Sequence, residues 1–182
     1  MSARTEGWGL TALRWTTGAL MAGHGIQKLT TRLGGRGIDG SAPGFEAMGL
    51  RPGRQHVIAA GVTELFSGVA SLLGVFTPAA SAATTGTMTV AIKKVHGKNG
   101  PWITKGGYEY NAVLMAVAFA LAAAGPGKLA LDGVLTRRRA GLGWALTQLV
   151  AGTGVAAGVM AAAARRPAPA APAEPASGAA AG

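Results

Sequence analysis

Residues 55–92 read QHVIAAGVTELFSGVASLLGVFTPAASAATTGTMTVAI, and these 38 residues contain one charged side chain, Glu64. With a helical rise of 1.5 Å per residue, about 20 residues cross a hydrocarbon layer of about 30 Å, so this stretch has room for two spanning helices. The dipeptide Thr77-Pro78 divides it, with Pro78 suited to open the second helix, where a missing N–H costs nothing. Two more windows behave alike: Tyr110 to Gly127 holds 18 residues and Ala140 to Ala164 holds 25, neither with a charge. The pattern predicts an all-α polytopic membrane helix bundle.

Working outward, breakers divide the chain into five apolar segments: about Trp8 to Lys28, Val57 to Thr77, Pro78 to Val95, Tyr108 to Ala124 and Leu142 to Ala164. Gly125-Pro126-Gly127 stops the fourth. We expect four core transmembrane helices within residues 1–135 and an additional, peripheral C-terminal transmembrane helix within 136–164. Residues 165–182, nearly all Ala, Pro and Gly, are expected to form a disordered tail. The first segment contains Arg14 and the third is short and rich in Thr and Ala, so both are weak as isolated spans. The alternatives are a soluble Ala-rich helical domain and, for the first 22 residues, a cleaved signal peptide, which Arg14 would interrupt. Gly18, Gly23, Gly61, Gly68, Gly74, Gly154 and Gly158 would let helix backbones approach closely, as packing in lipid favours. Residues 30–56 are too polar to span and too long for a simple turn.

The chain has 182 residues, 17 Lys plus Arg against 7 Asp plus Glu, a formal net charge of +10 and no cysteine. That balance suggests nucleic acid or an anionic surface as partner. Yet only 13% of residues are charged, against about 25% in soluble domains, and the basic residues flank apolar segments instead of forming a patch. Nucleic-acid binding is therefore set aside, and the lipid bilayer is the expected partner. Cysteine-based metal, disulfide and redox chemistry is excluded, and no metal site, phosphate loop, GxSxG or HExxH pattern is found. Counting basic residues by side gives 11 on the face of the loops after the first and third segments, 5 on the other, and Arg14 embedded. The positive-inside rule then places those two loops in the cytoplasm and the N-terminus outside, although Arg137 to Arg139 run against it locally.

Ionisable groups inside a membrane are costly, so each is a functional candidate. His24, Gln27 and Lys28 fall at i, i+3 and i+4 on one face at the end of the first segment. Glu64 lies about two turns into the second, His96 closes the third beside Lys93 and Lys94, and Tyr108, Glu109, Tyr110 and Asn111 open the fourth. Alternating helix directions bring all these ends to one leaflet. We expect Glu64, Glu109 and His24 to act as proton-exchanging groups, with Lys28, Gln27, His96, Tyr108 and Asn111 binding ligand. Each has a structural alternative: the lysines reach headgroups, the aromatics form an interfacial belt, His24 is packing glue, and Glu64 pairs with Lys28 or His24. Ligation of a b-type haem by His24 and His96 lacks any second pair or haem-specific pattern.

Gly23-His24-Gly25-Ile26-Gln27-Lys28, the Gly44 to Leu50 run, Glu64 with Gly68, and Leu72 to Thr77 resemble the DoxX family of small bacterial membrane proteins. So do Met88, Ala91, His96, Gly107 to Asn111 and Gly125 to Asp132, and together these stretches cover about residues 10 to 135. The resemblance implies a four-helix bundle in the cell membrane, linked to membrane redox systems as a quinone-oxidoreductase subunit or a partner of oxidative-stress enzymes. It implies quinone as ligand and redox enzymes as partners; with no evident electron carrier in the chain, a partner would have to supply electrons, and an oligomer is a separate expectation. The alternatives are a non-enzymatic scaffold that anchors soluble redox enzymes, and a transporter of small solutes or ions. The fifth segment and the tail extend beyond the common unit.

Overall fold

The computed structural model describes residues 3–166 and, among them, contains six α-helices and no strand. The helices are α1 (Ala3–Leu29), α2 (Gly37–Ala47), α3 (Gly53–Leu73), α4 (Thr77–Ala91), α5 (Glu109–Ala124) and α6 (Leu142–Ala164). The one not expected is α2, inside the polar connection. Of the tail expected from Arg165 to Gly182, all but the first two residues lie outside the described residues. By length and composition α3 and α6 can cross a membrane, and α5 is apolar but shorter. Apolar side chains also face outward in stripes: Ile58, Val62, Phe66, Val69 and Leu73 share one exposed face of α3, spaced as a single helical surface.

Small residues decide the packing. The most extensive helix pair is α1 with α3, followed by α4 with α6. A Cβ on Gly68 would lie 2.2 Å from the Ala22 nitrogen, and one on Gly25 would lie 2.6 Å from the Leu65 nitrogen, so the α1 and α3 backbones touch. Gly152 plays the same part for α6, where a Cβ would meet the Ala82 carbonyl at 2.5 Å. Gly23, Gly154 and Gly158, expected at such contacts, have no neighbour within 4 Å of an added Cβ. The C-terminal helix is likewise not peripheral: its Gln148 is buried and accepts a hydrogen bond from Thr85 of α4 at 2.8 Å.

One end of the bundle is closed by Arg14, which is 1% exposed. Its Nε donates to the Pro126 carbonyl, Nη1 to Ser71 and Leu72, and Nη2 to Lys128 and Leu129, at 2.6–3.1 Å. These bonds use all five guanidinium donors. Ser71 and Leu72 belong to the last turn of α3, whose terminal carbonyls and negative dipole end suit a cation. Gly74 ends α3 at φ +64, and a Cβ there would lie 2.9 Å from Arg14 Nη1, so this turn needs glycine for both conformation and space.

Asp132 completes the closure. Its carboxylate accepts the Phe76 and Thr77 N–H groups that open α4, at 2.9 and 3.0 Å, and the Thr136 hydroxyl at 2.5 Å. Burial pushes this carboxyl up, but the Thr136 hydroxyl and those backbone donors outweigh it and hold the group below its ordinary 3.8. A depressed folded value means that the stabilisation is complete above the ordinary value and is lost as pH falls through the folded one.

Replacing Arg14 removes a donor from five carbonyls, of which Ser71 and Lys128 keep another from Gly74 N–H and Thr11 Oγ1. Arg14→Lys supplies at most three bonds and Arg14→Met none, so the midpoint of thermal unfolding in detergent falls from Arg to Lys to Met. The Met variant loses about 3 kcal/mol or more, since each bond to a charged donor is worth about 1.5–3 kcal/mol. An unchanged midpoint for Arg14→Met contradicts this assignment.

Candidate functional site

Between α3, α4 and α6 lies a half-open cavity of about 520 Å³, within the size range of small-molecule sites. Its walls are mostly small or apolar: Ala59 and Ala60 of α3, Ala83 and Gly86 of α4, Gly152 and Val155 of α6. Phe45 of α2 with Met48 and Leu50 just after it cover one end, where Lys28, His56, Lys94 and His96 also line the wall. That is the end at which α1 and α4 finish and α3 begins.

Glu64 sits deeper. It is the twelfth residue of α3, about 16 Å from the start of the helix at 1.5 Å per residue and close to its midpoint. The sequence reading began the helix at Val57 and so placed this carboxylate nearer the end. Glu64 is 5% exposed, and its Oε2 lies 2.7 Å from Lys28 Nζ, which reaches across from α1. A buried carboxylate is tolerable only with such a partner, and the close α1–α3 approach at Gly25 and Gly61 brings the lysine within reach.

Of the residues expected to act together, Glu64, Lys28 and His96 line this cavity. The others are placed elsewhere among the described residues. The His24 ring packs edge-on against Tyr110, 6.4 Å between centroids. Gln27 Nε2 donates to the Leu33 carbonyl at 2.8 Å, shaping the turn after α1. Glu109, in the first turn of α5, accepts the Ile103 N–H at 2.8 Å, and Tyr108 caps the same helix. Asn111 is buried and donates to Met88 Sδ at 3.2 Å. The polar ends of the helices thus share one end of the bundle but serve several separate local structures.

Two cavity residues were not singled out as ligand-binding from the sequence. His56 stands two helical turns before Glu64, with Ala60 between, so its i, i+4, i+8 spacing was a usable signal. Lys94 is carried onto the wall by the π-helical turn Ile92–His96 that extends α4, and that turn leaves no mark in the sequence. Both histidines are oriented by carbonyls: His96 Nδ1 lies 2.8 Å from Gly106 O and His56 Nε2 lies 3.3 Å from Arg51 O. A carbonyl only accepts, so each facing nitrogen carries the proton and the opposite nitrogen is the one able to take another. The arrangement can therefore receive an apolar body of moderate size and offer its polar end a lysine, a carboxylate and two imidazoles.

The DoxX family model matches residues 9–97, just short of half of the chain. The chain carries a DoxX domain. Two of the described helices have the length and composition to cross a membrane. The DoxX match runs from α1 through the π-helical turn after α4, so it includes Lys28, His56, Glu64, Lys94 and His96. It stops before α5, the Asp132 loop and α6, and the α6 wall of the cavity lies outside it. No curated protein and no solved structure matches the chain.

The Lys28–Glu64 pair gives a specific energetic signature. Removing one partner leaves the other buried and uncompensated, at a cost of about 3–5 kcal/mol, whereas replacing both by apolar residues is often neutral or stabilising. Lys28→Met alone should therefore lower the unfolding midpoint more than Lys28→Met with Glu64→Leu. A double variant at least as unstable as the sum of the singles would show that the pair is not coupled.

Proposed function

We propose that this protein is a quinone-linked membrane subunit, with the cavity between α3, α4 and α6 as its quinone site and electrons supplied by a partner oxidoreductase. The observation that carries this reading is a charged pair 2.7 Å apart in the wall of an otherwise largely apolar cavity. A quinone has an apolar tail and a head whose reduction takes up electrons and protons, and the residues present fit both halves. Ala, Gly and Val walls accept the tail; Lys28 Nζ donates to a head carbonyl, Glu64 exchanges a proton with it, and His56 and His96 connect that proton to the end of the bundle. In this reading α1, α3, α4 with its π-helical extension and α5 form the four-helix core across the bilayer, α6 adds a fifth crossing, and the loops after α1 and α4 face the cytoplasm.

A second reading, a scaffold that holds soluble redox enzymes at the membrane, draws on one observation: Glu64 is already satisfied by Lys28, as a purely structural ion pair would be. The two are separated by equilibrium dialysis of the purified protein in detergent micelles against decylubiquinone. The quinone reading expects saturable binding and a loss of roughly tenfold or more in affinity for Lys28→Met, because the charge-assisted bond from Lys28 Nζ to the head carbonyl is worth about 1.5–3 kcal/mol. Affinity unchanged in that variant, or no saturable binding by the wild type, removes the quinone reading and leaves the scaffold.

A further inference from the structure

At the opposite end of the bundle from the cavity mouth, the segment between α5 and α6 presents a different surface. Arg137, Arg138 and Arg139 are consecutive and exposed. Around them stand large apolar side chains open to the surroundings: Val134 is 78% exposed, Leu135 68%, and Leu129 and Leu142 65% each. The segment is nonetheless held firmly. Leu131 and Asp132 donate backbone hydrogen bonds to Leu73 and Gly74, Gly141 donates to Ala122, and Arg14 grips Lys128 and Leu129 from beneath. The loop's one carboxylate, Asp132, is committed to the start of α4. The two ion pairs among the described residues, Lys28–Glu64 and Arg54–Asp39, both lie elsewhere. Arg139 is held against the Trp144 ring, 5.5 Å from its centroid, beside the first turn of α6.

We infer that this loop is a docking surface for anionic phospholipid: the three guanidiniums engage headgroup phosphates while Leu129, Val134, Leu135 and Leu142 enter the acyl layer beneath them. Three observations favour lipid over an acidic protein. The loop joins the end of an apolar helix to the start of a spanning one, which sets it at headgroup depth. Arginine forks match phosphate oxygens in pairs. A run of cations flanked by exposed apolar side chains suits a surface that is charged on its outside and oily within. The inference is independent of the ligand in the cavity and rests only on membrane embedding.

The test uses the full chain reconstituted in phosphatidylcholine vesicles with trace spin-labelled phosphatidylglycerol or phosphatidylcholine, the lipid at the protein surface being read by electron paramagnetic resonance. The wild type should select phosphatidylglycerol, and the preference should weaken with added salt. Arg137→Gln/Arg138→Gln/Arg139→Gln should lose most of that preference. Lys93→Gln/Lys98→Gln, at the other end, should keep it. Val134→Ser/Leu135→Ser, which retains the charges, should show a smaller loss, so that the readout does not depend on one variant folding. Equal preference in the triple Arg variant and the wild type overturns the inference. So does an acidic protein whose copurification requires the three arginines while lipid selectivity is indifferent to them.

Discussion

The fold turns on a cation buried where it closes one end of the helix bundle. A guanidinium inside an apolar bundle is tolerated only if every donor is met and a counter-field is present. Here five carbonyls meet the five donors of Arg14, two of them from the last turn of α3. The remaining three come from the segment after α5, which Arg14 pulls across the ends of α1 and α3. That segment then supplies Asp132 to the start of α4. One side chain thus organises four helices and presents the Arg137–Arg139 surface, and its own cost is offset by its place at the negative end of α3.

The cavity follows from how the remaining contacts are distributed. Glycines draw α1 onto α3 and α6 onto α4 until backbones touch, while the face between α3, α4 and α6 is built of Ala, Gly and Thr side chains too small to fill the space. What remains is a half-open cavity of about 520 Å³ with an ion pair in its wall. Glu64 is held there because Lys28 reaches it across the narrow α1–α3 contact.

Much of the helical framework was legible because membranes impose a simple grammar: charge-free windows of spanning length, ended by Gly and Pro. Leu142 to Ala164 reads directly from that rule and matches α6. What was not legible depends on through-space partners. Arg14 weakens the first segment as a span, and only the carbonyls from α3 and the 126–129 segment explain it. Residues 30–56 carry no strong period, yet α2 forms there, joined to α3 by a hydrogen bond from the Gly53 N–H to Glu46. Gly152 and the expected Gly154 and Gly158 are indistinguishable by composition, and only the direction in which α6 faces α4 selects the first. For the site, Lys28 was one of two partners foreseen for Glu64, whereas His56 was missed although it shares a face with that residue.

We propose that an amphipathic quinone occupies the space between α3, α4 and α6. The most direct test is photolabelling of the reconstituted protein with an azido-quinone, followed by peptide mapping. Labelling should fall on the cavity wall, at Ala59, Ala60, Thr63 or Glu64 and within residues 82–91 and 151–159, and should disappear with excess unlabelled quinone. Label confined to the outer face of α3 at Ile58, Val62, Phe66 and Val69, or label that excess quinone does not displace, would contradict it.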